Sequence, residues 1–175
     1  MRFVGLLFCI LLMGCTSVNI ADYQNTTPEL VIEDYFHGKT TARGVFQDRF
    51  GKVRRTFFVD IKGTWDEETQ TLKLVEDFLY NDGQTEQRIW TIKKTGKDTY
   101  TGMADGVIGE ASGESQGQAF NFKYKFALPV DGSIWNVTFD DWMYLLDQKT
   151  LFNKATIRRY GIRLGDVYIS FRKED

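Results

Sequence analysis

The stretch Ala42-Arg43-Gly44-Val45-Phe46-Gln47-Asp48-Arg49-Phe50-Gly51-Lys52-Val53-Arg54-Arg55-Thr56-Phe57-Phe58-Val59-Asp60-Ile61 decides the fold. In its first half Ala42, Gly44, Phe46, Asp48 and Phe50 share one face of a period-two pattern, and Arg43, Val45, Gln47 and Arg49 share the other. Val53, Phe57, Val59 and Ile61 repeat the pattern, opposed by Arg54, Thr56 and Asp60. Gly51-Lys52 fits a two-residue hairpin turn of the glycine-first type, and such a turn fixes the register. Phe50 then faces Val53, Asp48 faces Arg55, Phe46 faces Phe57 and Ala42 faces Ile61. Apolar meets apolar at three positions and acid meets base at the fourth, as an antiparallel hairpin requires.

The alternation continues to the end of the chain. Leu72, Leu74, Phe78 and Tyr80 lead to a turn at Asn81-Asp82-Gly83, then to Trp90 and Ile92. Phe120, Phe122, Tyr124, Phe126 and Leu128 alternate with Asn121, Lys123 and Lys125; Trp135, Val137, Phe139, Met143 and Leu145 follow, and Val167, Ile169 and Phe171 close the series. This predicts an all-β fold, an antiparallel up-and-down barrel of about 8–10 strands. Thr27-Pro28-Glu29 reads as the start of a short helix carrying Val31, Ile32, Tyr35 and Phe36 and ending at Gly38. Gly102, Gly106, Gly109, Gly113 and Gly117 crowd one segment without a following Gly-Lys-Ser/Thr, and read as strand kinks instead of a phosphate loop.

The N-terminus reads as an address. Arg2 precedes an apolar run from Phe3 to Met13, too short for a membrane-spanning helix, that ends in Leu12-Met13-Gly14-Cys15. Those four residues resemble the bacterial lipobox, which predicts a signal peptide over residues 1–14, acylation of Cys15, a tether over 15–27 and one barrel domain over 28–175. Thr16 after the cysteine, where aspartate would mark inner-membrane retention, points to the outer membrane. Loss of Cys9 with the signal leaves one cysteine, so a disulfide within the mature chain is excluded.

Composition narrows the chemistry. Among 175 residues, Lys and Arg total 22 and Asp and Glu 24, which gives no basic field for nucleic acid. One histidine, His37, and no free thiol leave no zinc set and no nucleophile–base set, so neither an enzyme nor a cofactor is expected. Asp140 and Asp141 are adjacent on a strand and point to opposite faces, which prevents them from sharing a substrate. The informative polar residues are Asp48, Arg55, Glu76, Arg88 and Asp141, each on the parity of the large apolar side chains. A three-residue loop after Asn81 sets Arg88 opposite Phe78 and diagonal to Glu76, whereas a two-residue loop puts Asp77 in the place of Glu76. An inward cluster of this kind is either a buried ionic network that fixes register or the polar floor of a ligand cavity.

Five stretches together resemble the uncharacterised lipoprotein family DUF3833: Tyr35-Phe36-His37-Gly38, Gly44 to Gly51, Glu76-Asp77-Phe78 with Asp82-Gly83, Arg88-Ile89-Trp90, and Phe139-Asp140-Asp141-Trp142-Met143. The family pattern carries Gly-Asn-Ala where this chain has Gly117-Gln118-Ala119, and His37 lies outside its motif. The resemblance implies a Gram-negative lipoprotein with a lipocalin-like (calycin) barrel and no assigned activity. The expected function is a membrane-anchored envelope protein that binds or handles a small hydrophobic or lipid ligand. The alternative is an envelope protein–protein interaction module with a solid core.

Overall fold

The computed structural model describes residues 18–130 and 132–174, so Cys15, Thr16 and the apolar run before them lie outside the described residues. Ten antiparallel strands form a closed barrel: β1 Gly38–Asp48, β2 Val53–Asp66, β3 Thr71–Tyr80, β4 Thr85–Lys94, β5 Thr99–Met103, β6 Val107–Gln116, β7 Ala119–Val130, β8 Ser133–Leu145, β9 Thr150–Arg159 and β10 Ile162–Lys173. Each strand pairs with its sequence neighbours, and β1 closes the ring against β10 from Thr40↔Lys173 to Asp48↔Gly165. Closure leaves no free edge among these strands, which is how an up-and-down sheet avoids edge-to-edge association.

The ends of the barrel differ. A short helix, α1 (Ile32–Phe36), plugs the end where β10 finishes and β1 begins, and Leu30, Ile32, Tyr35 and Phe36 are all buried there. Phe36 meets Phe171 edge-on at 5.7 Å, and the Tyr35 hydroxyl donates to the Lys149 carbonyl. Gly63 lets the plug seat: a Cβ there would stand 1.8 Å from the Phe36 carbonyl oxygen. The Glu33 carboxylate, only 6% exposed, accepts from Lys94 Nζ at 2.5 Å and from the Tyr100 hydroxyl at 3.0 Å, which ties the plug to β4 and β5. Upstream, a 3-10 turn at Ile20–Tyr23 rests on the outer wall beside this end, with the Tyr23 ring against Trp142 and Tyr144.

The helix begins later than Thr27-Pro28 suggests. The Leu30 N–H donates to the Gly117 carbonyl and Ser115 Oγ donates to the Leu30 carbonyl, so the chain through Leu30 is strapped to β6 and its turn, and the helix starts only beyond it. The glycines of β5 and β6 serve mainly as seats for rings. The Phe122 ring tip lies 2.5 Å from where a Gly102 Cβ would be, and the Phe120 ring tip lies 2.8 Å from the corresponding point at Gly113.

Two registers differ from expectation by two residues. Ala42 pairs with Val59 and Phe46 with Arg55, so Asp48 does not face Arg55. The Asp48 carboxylate accepts from the Phe50 and Lys52 backbone amides, and the Asp48 N–H donates to the Lys52 carbonyl, which makes the connection longer than two residues and adds a bulge at Phe46/Gln47. On β3 and β4, Arg88 pairs with Glu76 and Phe78 with Glu86. There Asn81 belongs to the turn, because its N–H donates to the Thr56 carbonyl and its side-chain oxygen accepts from the Thr56 N–H. A slip of two preserves side-chain parity, so the inward faces stand as read.

Candidate functional site

The barrel core divides along its axis. Toward the plug, Phe120, Phe122, Leu72, Leu74, Ile92, Tyr100 and Leu151 pack into a dense cluster with α1. Toward the opposite end the rings line a cavity of about 320 Å³. Its walls are largely apolar, including Phe46, Phe57, Phe78, Phe139, Ile157 and Phe171. Phe46, Arg55, Tyr80 and Leu128, its outermost lining residues, sit within a few positions of the turns that link β1–β2, β3–β4 and β7–β8. That rim also exposes large apolar side chains: Phe50 at 78%, Tyr160 at 88%, and Ile134 and Ile162.

Arg55, Glu76 and Arg88 line this cavity, and Asp141 lies directly behind its wall, where its Oδ2 accepts from the Tyr124 hydroxyl at 3.4 Å. Asp48 is not among them; it caps the β1–β2 turn and pairs with Arg54 at 2.5 Å. The inward charges form a chain running from rim to floor. At the rim Arg55 stacks over Tyr80 at 3.4 Å and pairs with Asp82 at 3.1 Å and Gln84 at 2.8 Å. The Tyr80 hydroxyl donates to Glu86 at 2.8 Å, and Arg88 donates to the other Glu86 oxygen at 2.6 Å. Arg88 therefore turns along its own strand toward the mouth, between the rings of Phe78 and Phe126 at 5.2 and 5.3 Å, although Glu76 is its cross-strand neighbour.

The acids at the floor end of this chain are left short of partners. Among the described residues no protein group donates to the Glu76 carboxylate, and its ordinary pairing with Arg88 is not made. Asp141 is 8% exposed and its Oδ1 has no hydrogen-bond partner. Burial pushes Glu76 up to about 7, opposed by Arg88 and assisted by Glu86. Burial likewise pushes Asp141 up to about 7, opposed by the Tyr124 hydroxyl and Arg88 and assisted by Asp140 and Glu76. For Arg88 burial works against the charge, but Tyr124, Glu76 and Glu86 outweigh it and raise its pKa. Tyr124, held between Trp90 at 5.2 Å and a stacked Phe139 at 5.0 Å, is pushed far up, first by burial and then by Asp141.

Chemically, this is an aromatic cavity with a polar floor that has hydrogen-bond acceptors to spare. It offers no nucleophile held by a base, and among the described residues no three His, Cys, Asp or Glu side chains converge on a point. Glu86, Tyr80, Tyr124 and Gln84 complete the charge chain and were not singled out by sequence reasoning. The only signal for them is the shared parity of Tyr80, Glu86, Arg88 and Trp90.

Solved structures with this fold differ widely in sequence. The S-type phycobiliprotein lyase CPES from Guillardia theta superimposes with a TM-score of 0.60 at 8% identity, covering 83% of this chain and 94% of its own. Rv2717c from M. tuberculosis gives 0.61 at 10% identity, with coverage of 86% and 100%. A protein of unknown function from the DUF3598 family of Nostoc punctiforme gives 0.56 at 12% identity, over 85% of this chain and 51% of that one. These likenesses establish a lipocalin-like, calycin-type barrel. No curated protein matches in sequence. The family described as "Protein of unknown function (DUF3833)" matches residues 9–173, nearly the whole chain, and this protein belongs to that family.

Proposed function

We propose that this protein is a membrane-anchored envelope lipoprotein whose barrel binds a small hydrophobic ligand. The observation that carries the reading is the 320 Å³ cavity, lined by rings in the unplugged half of a closed barrel. Small barrels either fill with side chains or hold one ligand, and a hollow of ~300 Å³ reaches the lower end of known small-molecule sites. A solved neighbour in fold is named a phycobiliprotein lyase. Ala155 lines the cavity and is itself buried, so Ala155→Phe fills the hollow from one wall. Native mass spectrometry of the full chain should find a co-purified small apolar molecule that Ala155→Phe loses while keeping its fold. A parent chain that carries no such mass and takes up no apolar probe refutes the reading.

Anchoring is supported by the Leu12-Met13-Gly14-Cys15 run and the apolar stretch before it. The reading places the protein at the bacterial outer membrane through an acylated Cys15. Four residues separate Cys15 from the 3-10 turn at Ile20–Tyr23, whose Tyr23 packs on Trp142 and Tyr144 beside the plugged end, so the anchor would hold that end near the membrane and leave the mouth facing away. Mass spectrometry of the membrane fraction should give no peptide before Cys15 and a lipid-modified N-terminus. A soluble form with unmodified Cys15 overturns the anchor.

The interaction-module reading has its own observation. Val45, Phe58, Leu79, Phe152 and Tyr168 line an apolar groove on the outer wall of neighbouring strands. Cross-linking in membranes that captures one partner at Phe58 or Leu79, together with a ligand-free barrel, favours it over the cavity.

A further inference from the structure

We propose that the cavity receives a ligand with an apolar body led at its buried end by a protonated amine, which docks on the Glu76 carboxylate. The inference rests on the cavity being a ligand site and names the chemistry of what enters it.

Donors and acceptors along the cavity do not cancel. Each cationic or hydroxyl group along the cavity has a protein acceptor: Arg55 Nη2 has Asp82 and Gln84, Arg88 Nη2 and the Tyr80 hydroxyl have Glu86, and the Tyr124 hydroxyl has Asp141, while Arg55 Nε, toward the rim, is a buried donor without a partner. What remains unmet on the floor is acceptor capacity at Glu76, which faces the hollow with no donor among the described residues. A cavity-facing acceptor without a protein donor favours a ligand that brings N–H groups, and a carboxylate favours a charged one.

Charge points the same way. Arg55 pairs with Asp82 and Arg88 with Glu86, which leaves Glu76 and Asp141 as the inward acids without an ion pair, and Glu76 is the one that lines the cavity. One ammonium ion supplies the cation that Glu76 lacks. An anionic head group would meet Glu76, and the cation nearest to that acid, Arg88, is already paired with Glu86. The wall itself also favours a cation. Phe78 is the next inward residue beyond Glu76 on β3, with Phe57 at 5.8 Å from it and Tyr80 stacked at 5.9 Å. Ring faces of this kind attract a cation, as Arg88 over Phe78 and Arg55 over Tyr80 already do, and leave a carboxylate unrewarded. At the ~30 Å³ that a water-sized atom group occupies, the cavity holds about ten non-hydrogen atoms, the size of an eight-carbon amine.

Proton linkage sharpens the expectation. Arg88 and Glu86 from β4, Tyr124 from β7 and Asp141 from β8 are the charged or titratable groups around Glu76. With Glu76 half-titrated near 7, an ammonium binds best to its ionised form, so uptake should release a proton and weaken as the pH falls.

The test is calorimetric titration of the full chain, in detergent-free buffer at pH 8, with octylamine, octanol and octanoate. Octylamine should bind at least about tenfold more tightly than octanol, with octanoate weakest, since one hydrogen bond to a charged group supplies that much. The preference should shrink at pH 5.5. Glu76→Gln keeps the shape and should bind octanol as the parent does while losing the preference for the amine. Octanoate binding as well as or better than octylamine overturns the proposal, as does a Glu76→Gln variant that retains the preference. Octanol binding without any preference for the amine removes this inference and leaves the cavity a ligand site. Failure of all three probes overturns the cavity reading itself.

Discussion

Asp141 provides a test in which the sign of the effect discriminates. An ion-paired buried acid loses stability when neutralised, whereas an acid buried without adequate partners gains it. Here Oδ1 has no partner, Oδ2 has only a long bond from Tyr124, and burial lifts the pKa from 3.8 to about 7. A carboxyl whose folded pKa lies above its unfolded value binds its proton more tightly in the folded chain, so stability falls as the pH climbs from the unfolded to the folded value. Between pH 5 and pH 7 the unfolded chain is ionised at this group and the folded chain is not; at ~1.4 kcal/mol per unit, that is about 3 kcal/mol of stability lost by the parent. At pH 8 the accumulated penalty approaches ~4 kcal/mol. Asp141→Asn removes it and leaves one buried amide donor unmet, at a cost of about 1–2 kcal/mol. Urea denaturation at pH 8 should therefore show Asp141→Asn more stable than the parent by about 2 kcal/mol, with little difference at pH 5. A variant less stable than the parent at pH 8 would refute the reasoning, because the ionised carboxylate would then hold a partner worth more than its desolvation.

Arg88→Met acts in the opposite direction. It strips Glu86 of its ion pair and leaves Glu76 without a neighbouring cation, and at 22% side-chain exposure the loss falls between the buried and surface limits, at about 2 kcal/mol at pH 8. No loss at that pH would show Arg88 to be free of the acids. Gly63→Ala drives a methyl group into the Phe36 carbonyl, so amide exchange should accelerate across Tyr35 and Phe36 while the strands far from the plug keep their protection; unchanged exchange would refute the seat. Glu33→Gln breaks the buried pair with Lys94 and should lower stability by about 3 kcal/mol in thermal unfolding, more than an exposed pair such as Lys39–Asp60, for which ~0–1 kcal/mol is expected.

What the sequence reveals and what it conceals follow from a single property of strands. Side-chain direction has period two, so a register wrong by two residues moves every partner and no face. That is why Arg55, Glu76 and Arg88 could be placed inward from alternation alone, although Arg55 pairs with Asp82 and Arg88 stands opposite Glu76. Asp48 shares their parity and yet caps a turn, because its neighbours' amides offer a local alternative to the ladder and short acids accept such offers readily. Glu33 carried no signal at all. Its partner Lys94 is 61 residues away, and nothing around Glu33-Asp34 separates the buried acid from the exposed one. Whether rings fill or line the barrel was equally hidden, since that depends on volumes summed across strands.

The two halves of the barrel answer that question differently, and their chemistry explains why. In the plugged half, Gly102 and Gly113 yield their side-chain volume to Phe122 and Phe120, and α1 adds Ile32 and Phe36, so small and large residues interlock and the core closes. In the other half the wall positions carry Glu76, Arg88 and Tyr124, which cannot close on one another without desolvating charge. Arg88 meets this by leaning toward Glu86 and the mouth, and the space it vacates lies beside Glu76. Filling that space with apolar side chains would bury the Glu76 carboxylate completely; leaving it open keeps the acid within reach of water or of a ligand's donors. The hollow and the unpaired acid are thus one feature. A barrel relieved of Glu76 should pack more tightly and bind less selectively, whereas a barrel kept only for stability would have no reason to hold an acid there.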